Sequence, residues 1–164
     1  MSDSPVSIAT RYQGWGAYQE RLVAALQPLS AEQLELRAAP HLSTVGMLAA
    51  HIILVRAGWF YFVLNEHDPR LGQFGAWNDP GHVIGSASEL VAGLETTWAV
   101  IRDRLERWTA EDLAATFWDT DDQGNPEGPY SREWVLWHLL EHDLFHGGEL
   151  SLTLGMHGLP GVKL

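Results

Sequence analysis

His138, His142 and His146 recur at every fourth position in a stretch that otherwise reads as an apolar helix. A helix places residues i and i+4 on one face, so neighbouring imidazoles in this column can grip a single metal ion. His138 and His146 are about 12 Å apart along a helix axis at 1.5 Å per residue, too far for one ion. The pair is therefore His138 with His142, or His142 with His146, and His142 belongs to both. Two imidazoles leave a metal under-coordinated, so a third ligand should come from another helix. His51 is the natural donor. It lies beside Leu48, Ile52 and Val55, where an imidazole without a partner is costly. His41, His67, His82 and His157 fall in expected loops or element ends and are weaker candidates.

Three neutral nitrogen ligands leave positions for water or substrate, the pattern of an open catalytic site. A metal held this way lowers the pKa of bound water or of a substrate thiol. Imidazole suits several divalent ions, and zinc or nickel is expected. Glu149 follows His142 by seven residues and shares nearly the same helical face. It could orient a ligand, act as general base, or bind the metal. Among the eight tryptophans, Trp59, Trp134 and Trp137 are candidate pocket walls. Asp119, Asp121 and Gly124 match positions 1, 3 and 6 of a calcium-binding loop. Position 12 is Tyr130, where a bidentate Glu is needed, so a solvated turn is expected instead.

Four long helices must position these groups. The first runs from about Ser4 to Gln27, with Ile8, Tyr12, Trp15, Gln19, Leu22 and Leu26 at helical spacing. Pro28 breaks it. Ser30 then caps a short turn, with Gln33 in the capping-box position. The second helix starts near Ser43 or Thr44 and reaches about Asn65, burying Val45, Leu48, Ile52, Val55 and Trp59. A long connection rich in Gly, Pro, Asp and His follows, from Glu66 to about Ser86, including Asp79-Pro80-Gly81; connections of this length are often functional. The third helix begins at Ser86 or Ser88 and ends near Trp108, burying Leu90, Leu94, Trp98, Ile101 and Leu105. Thr109-Ala110-Glu111-Asp112-Leu113 repeats the capped turn. An acidic loop spans Asp119 to Pro129, with a short hairpin possible around Gly124. The fourth helix begins after Ser131 and ends at Gly155, read as the C′ glycine. The fold class is all-α: a four-helix bundle with long connections, in one domain over residues 1–164.

The chain has 164 residues, enough for a real core. Its formal net charge of −11 repels phosphate backbones, so nucleic acid is not an expected partner. The absence of cysteine removes disulfides, a cysteine nucleophile and thiolate-ligated metal. The opening residues lack the basic and apolar parts of a secretory signal. No apolar run is read as approaching the ~20 residues of a membrane span. A soluble cytoplasmic protein is expected.

The run His142-Asp143-Leu144-Phe145-His146-Gly147-Gly148-Glu149-Leu150, followed by Leu154-Gly155, resembles the closing motif of the DinB/YfiT-like superfamily of metal-binding four-helix bundles. Ser43-Thr44-Val45-Gly46-Met47-Leu48-Ala49-Ala50-His51 matches at the corresponding place on the second helix. The resemblance implies one mononuclear site of three histidines, His51, His142 and His146, with His138 a neighbour. It also implies chemistry of the small-thiol-dependent transferase, isomerase or hydrolase type on a small-molecule substrate. With no cysteine in the chain, a thiol would have to come from that substrate. Many relatives carry Arg-Gly-Gln after the last ligand. Here Gly147-Gly148-Glu149 stands instead, which weakens the basis for an anionic substrate. The other expectation is a non-catalytic metal-binding or stress-response interaction protein. A homodimer through bundle faces is expected.

Overall fold

The computed structural model describes residues 7–79, 82, 85–121 and 123–163. The expected helix start near Ser4, and Pro80 and Gly81 of the long connection, lie outside them. Helix accounts for 66% of the structure, with one small two-stranded sheet.

The first expected helix is two pieces, α1 (Ile8–Arg11) and α2 (Gln13–Leu26), separated only at Tyr12. It buries Ile8, Trp15, Tyr18, Gln19, Leu22, Ala25 and Leu26. Ser30 caps the short α3 (Ala31–Leu34) in a capping box completed by Gln33. This satisfies two backbone donors that a helix start leaves open. Thr44 caps α4 (Val45–Gly58) by accepting from the Met47 backbone N–H. The helix then widens into a π-helical turn, Trp59–Val63. Its buried face includes Val45, Leu48, Ile52 and Arg56, whereas Val55 and Trp59 are only partly buried.

Together Val45–Val63 is long and apolar enough to cross a membrane by length and composition, contrary to the sequence expectation. The bundle supplies another reason for that apolarity. The segment packs against the third and fourth long helices, α6 (Ala87–Leu105) and α8 (Arg132–Met156).

The long connection is not structureless. Asp68 caps a short α5 (Pro69–Gly72), with Pro69 in the first turn where a missing N–H costs nothing. A 3-10 turn, Gln73–Asn78, continues it. Arg70 bridges Asp68 and Asp103 at 2.8 Å each, and Arg104 reaches Glu66 at 2.5 Å. The Arg70 hydrogen bonds hold the Asp68 carboxyl down at about 2. These pairs pin the connection to α6.

Ser86 caps α6, which ends at Leu105, one turn short of the expected Trp108. Thr109 and Asp112 form a second capping box on α7 (Ala110–Ala114). The acidic loop is an antiparallel hairpin, β1 (Thr116–Thr120) with β2 (Pro126–Ser131). In place of a calcium loop, Asp121 turns its carboxylate onto the Gln123 and Asn125 backbone N–H groups at the hairpin tip.

Ser131 caps α8, which carries three of the four candidate site residues. It continues past Gly155 to Met156, and Gly158, with φ of +73°, is the C′ glycine. Leu159 N–H bonds the Leu154 carbonyl and Gly158 N–H bonds that of Gly155, the paired bonds of a Schellman ending.

All four long helices meet at one buried polar cluster. The Arg56 guanidinium (α4) pairs with the Asp143 carboxylate (α8) at 2.6 Å, both fully buried. Arg56 Nε also donates to both Asp143 oxygens, and the Trp15 indole N–H (α2) donates to Asp143 Oδ2 at 2.5 Å. Arg56 Nη1 reaches Gln19 Oε1 (α2) at 2.8 Å and Thr97 Oγ1 (α6) at 3.5 Å. A buried ion pair is tolerable when further hydrogen bonds satisfy its spare donors and acceptors, and these do.

Candidate metal centre

Asp143 faces inward from α8, and its neighbour His142 therefore turns toward α4. His146, one turn on, follows. His51 meets both from the middle of α4. One ring nitrogen from each of His51, His142 and His146 lies within 4.8 Å of the others. Ring centroids are 4.8 Å apart for His51 and His142, 4.7 Å for His51 and His146, and 4.4 Å for His142 and His146. His51 Nε2 and His142 Nε2 stand 3.0 Å apart. The group could hold a metal ion.

The donors suit that use. Burial, then the nearby His146, His51, His138 and Arg56, pushes His142 down to about 3. Burial and His146 lower His51 as well. Both rings are therefore neutral near pH 7, as a metal ligand must be. His142 Nδ1 is buried and has no hydrogen-bond partner. The His142 ring is therefore held by packing and by its Nε2 contact with His51, not through Nδ1. His146 differs: its Nδ1 lies 2.6 Å from Glu149 Oε2. With the carboxylate on Nδ1, Nε2 is the nitrogen left for a metal, an arrangement that fixes tautomer and ring orientation.

His138 does not join the cluster. Its ring stacks on Trp134, at 5.0 Å and 7° between planes, and packs against Trp59 at 5.0 Å. Tyr130 from the hairpin extends the stack at 4.2 Å from Trp134. An imidazole that sequence spacing left open as a ligand is here an aromatic packing element.

A cavity of about 770 Å³ opens beside the histidines, within the range of small-molecule sites. His51, His146 and Glu149 sit in its wall, with Leu48, Met47 and Leu152. Trp59, Trp134 and Trp137 do not line it. The first two are committed to the His138 stack, and Trp137 is largely exposed on α8. The tryptophan in the wall is Trp77, brought there by the 3-10 turn of the connection, together with His82. No helical periodicity marks Trp77. Only the length of its connection could have drawn attention to it.

Gly147 is needed where it stands. A Cβ there would overlap the Tyr18 hydroxyl of α2, so glycine makes room on α8 for the Tyr18 side chain.

A family model for the DinB superfamily matches residues 16–150. No curated protein matches the chain. Solved structures share its fold. A DinB-like protein from Bacillus cereus has a TM-score of 0.67 at 21% identity, covering 93% of each chain. A DinB-like protein from Bacillus subtilis has a TM-score of 0.62 at 17% identity, covering 96% of this chain and 95% of its own. A protein described as of the DinB family from Exiguobacterium sibiricum has a TM-score of 0.66 at 18% identity, covering 100% of this chain and 97% of its own. The chain belongs to the DinB superfamily.

Proposed function

We propose that this DinB-superfamily chain is a metal-dependent enzyme in which His51, His142 and His146 hold one divalent ion, zinc or nickel. The observation that carries the reading is the convergence of three ring nitrogens within 4.8 Å at the wall of a cavity large enough for a substrate. A bound ion would supply Lewis acidity and a lowered pKa for a coordinated water or thiol.

The chain's own residues do the rest. The Arg56–Asp143 pair holds α4 against α8 and so sets the spacing of His51 to His142. Glu149 fixes the His146 ring, and it also lines the cavity, where its carboxylate can accept a proton from a bound substrate. The reaction class is transfer, isomerisation or hydrolysis on a small molecule, with a low-molecular-weight thiol as the coordinating group. A non-catalytic metal-binding protein would have no use for a cavity beside its ligands. A cytoplasmic location and a homodimer go with this reading as expectations of the sequence.

Elemental analysis of untagged protein tests the ligand set. Wild type and His138→Ala should retain about one equivalent of metal, while His51→Ala, His142→Ala and His146→Ala retain little. Full metal content in His142→Ala with unchanged stability would refute the assignment.

A further inference from the structure

The charge of the cavity wall is one-sided. Glu35 and Glu149 both line it, and no Lys or Arg does. The ten basic residues of the chain all lie among the described residues. Arg37, next to Glu35, donates from its guanidinium to the Leu42 carbonyl. Arg56 is sealed in the core. Besides the candidate ligands His51 and His146, the polar side chains of the wall are Ser43, Thr44, His82 and Thr153, and the rest is apolar or aromatic, Leu34, Met47 and Trp77 among them.

We propose that the ligand of this cavity has an apolar body carrying no anionic group, with a neutral or cationic substituent away from its coordinating head. The inference rests on the metal reading for the head alone; the body is specified by the wall. A carboxylate, phosphate or sulfonate placed there would find no Lys or Arg counter-ion in the wall and would face the Glu35 and Glu149 carboxylates. An ammonium or hydroxyl group would meet carboxylate acceptors, and an aryl or alkyl body would cover the leucines and Trp77. A bound dication does not reverse this, because one anionic head leaves it a single net positive charge and Glu35 and Glu149 together carry two negative ones.

The test separates body from head. Metal-stripped protein is titrated at pH 7 by calorimetry with 4-phenylbutylamine, 4-phenylbutanol and 4-phenylbutyrate, which carry positive, zero and negative charge there. The amine and the alcohol should each bind at least ~10-fold tighter than the butyrate. Glu35→Lys, an exposed substitution at the end of α3, should narrow that gap at least ~3-fold, with Glu35→Gln in between. Butyrate binding as tightly as the amine, no binding by any of the three, or a gap unmoved by Glu35→Lys overturns the proposal.

A second arm loads the protein with cobalt(II) and adds 4-phenylbutane-1-thiol or 4-(4-mercaptobutyl)benzoate. Thiolate absorption should appear at lower concentration with the uncharged thiol. Failure to take up cobalt would sink the metal reading while leaving the first arm to decide the proposal.

Discussion

Replacing Asp143 with Ala should be the most damaging single change outside the histidines. Its carboxylate accepts from Arg56 Nε, Arg56 Nη2 and the Trp15 indole N–H, and the ion pair is fully buried. Removing one partner of a buried ion pair costs about 3–5 kcal/mol, because the survivor is an uncompensated charge. Here that survivor would be Arg56, left with only the neutral acceptors Gln19 and Thr97. For a chain of this size the loss is a fall in melting temperature of roughly 6–20 °C. Removing both charges is a different matter. Arg56→Met with Asp143→Leu deletes the desolvation cost along with the attraction, so the double variant should be more stable than Asp143→Ala alone, by about 3 kcal/mol or more. Urea unfolding of wild type, Arg56→Met, Asp143→Leu and the double variant closes the cycle, with Asp143→Ala measured beside them. If Asp143→Ala costs less than about 1 kcal/mol, or the double variant is no better than the single, the account of the cluster as a buried charge pair fails.

Three further outcomes are expected. His142 and His51 both have pKa values below the unfolded value, His142 at about 3. The unfolded chain therefore takes up protons that the fold refuses, and metal-free protein should lose stability as pH falls from 6.5 toward 3 and change little from this source above 6.5. His142→Ala should flatten that slope in urea melts; an unchanged slope would remove His142 as the cause. Glu149→Gln should weaken metal affinity by about 10–100-fold without changing stoichiometry, because it loosens the His146 ring and removes no ligand; competition with a chelating dye reads this, and loss of the metal equivalent would make Glu149 a ligand instead. Gly147→Ala should cost about 1–3 kcal/mol through overlap with Tyr18, less in a Tyr18→Phe background, where the colliding oxygen is gone. Equal costs in both backgrounds would point to another origin.

The bundle was legible because its helices announce themselves locally. Ser30, Thr44, Ser86, Thr109 and Ser131 all cap the elements expected of them. Caps are decided by three or four neighbouring residues, so sequence suffices. The helix end at Gly158 was misplaced to Gly155 because both glycines suit the role locally, and the choice depends on how far α8 stays packed. The spacing of His138, His142 and His146 could not choose a pair, since all three have the same local pattern. What distinguishes His138 is its stacking on Trp134, one turn back, together with Trp59 on another helix. Trp77 and Arg56 carry no local signal of their roles for the same reason. Their partners lie on other elements, and no periodicity encodes a cross-bundle contact.

The cluster around Arg56 has a consequence for metal supply. It ties α2, α4, α6 and α8 together with protein groups alone, so the histidines are assembled before any ion arrives. In small metal-organised domains the ion supplies the folding free energy, and its loss unravels the chain. Here the Arg56 cluster joins the helices without a metal, and an ion held by the three histidines would be a guest. On the proposed metal reading, such a site could be emptied and refilled without unfolding, and its occupant would follow metal availability as much as ligand preference. The identity of the metal is then partly a property of the cell that makes the protein, and growth medium becomes an experimental variable.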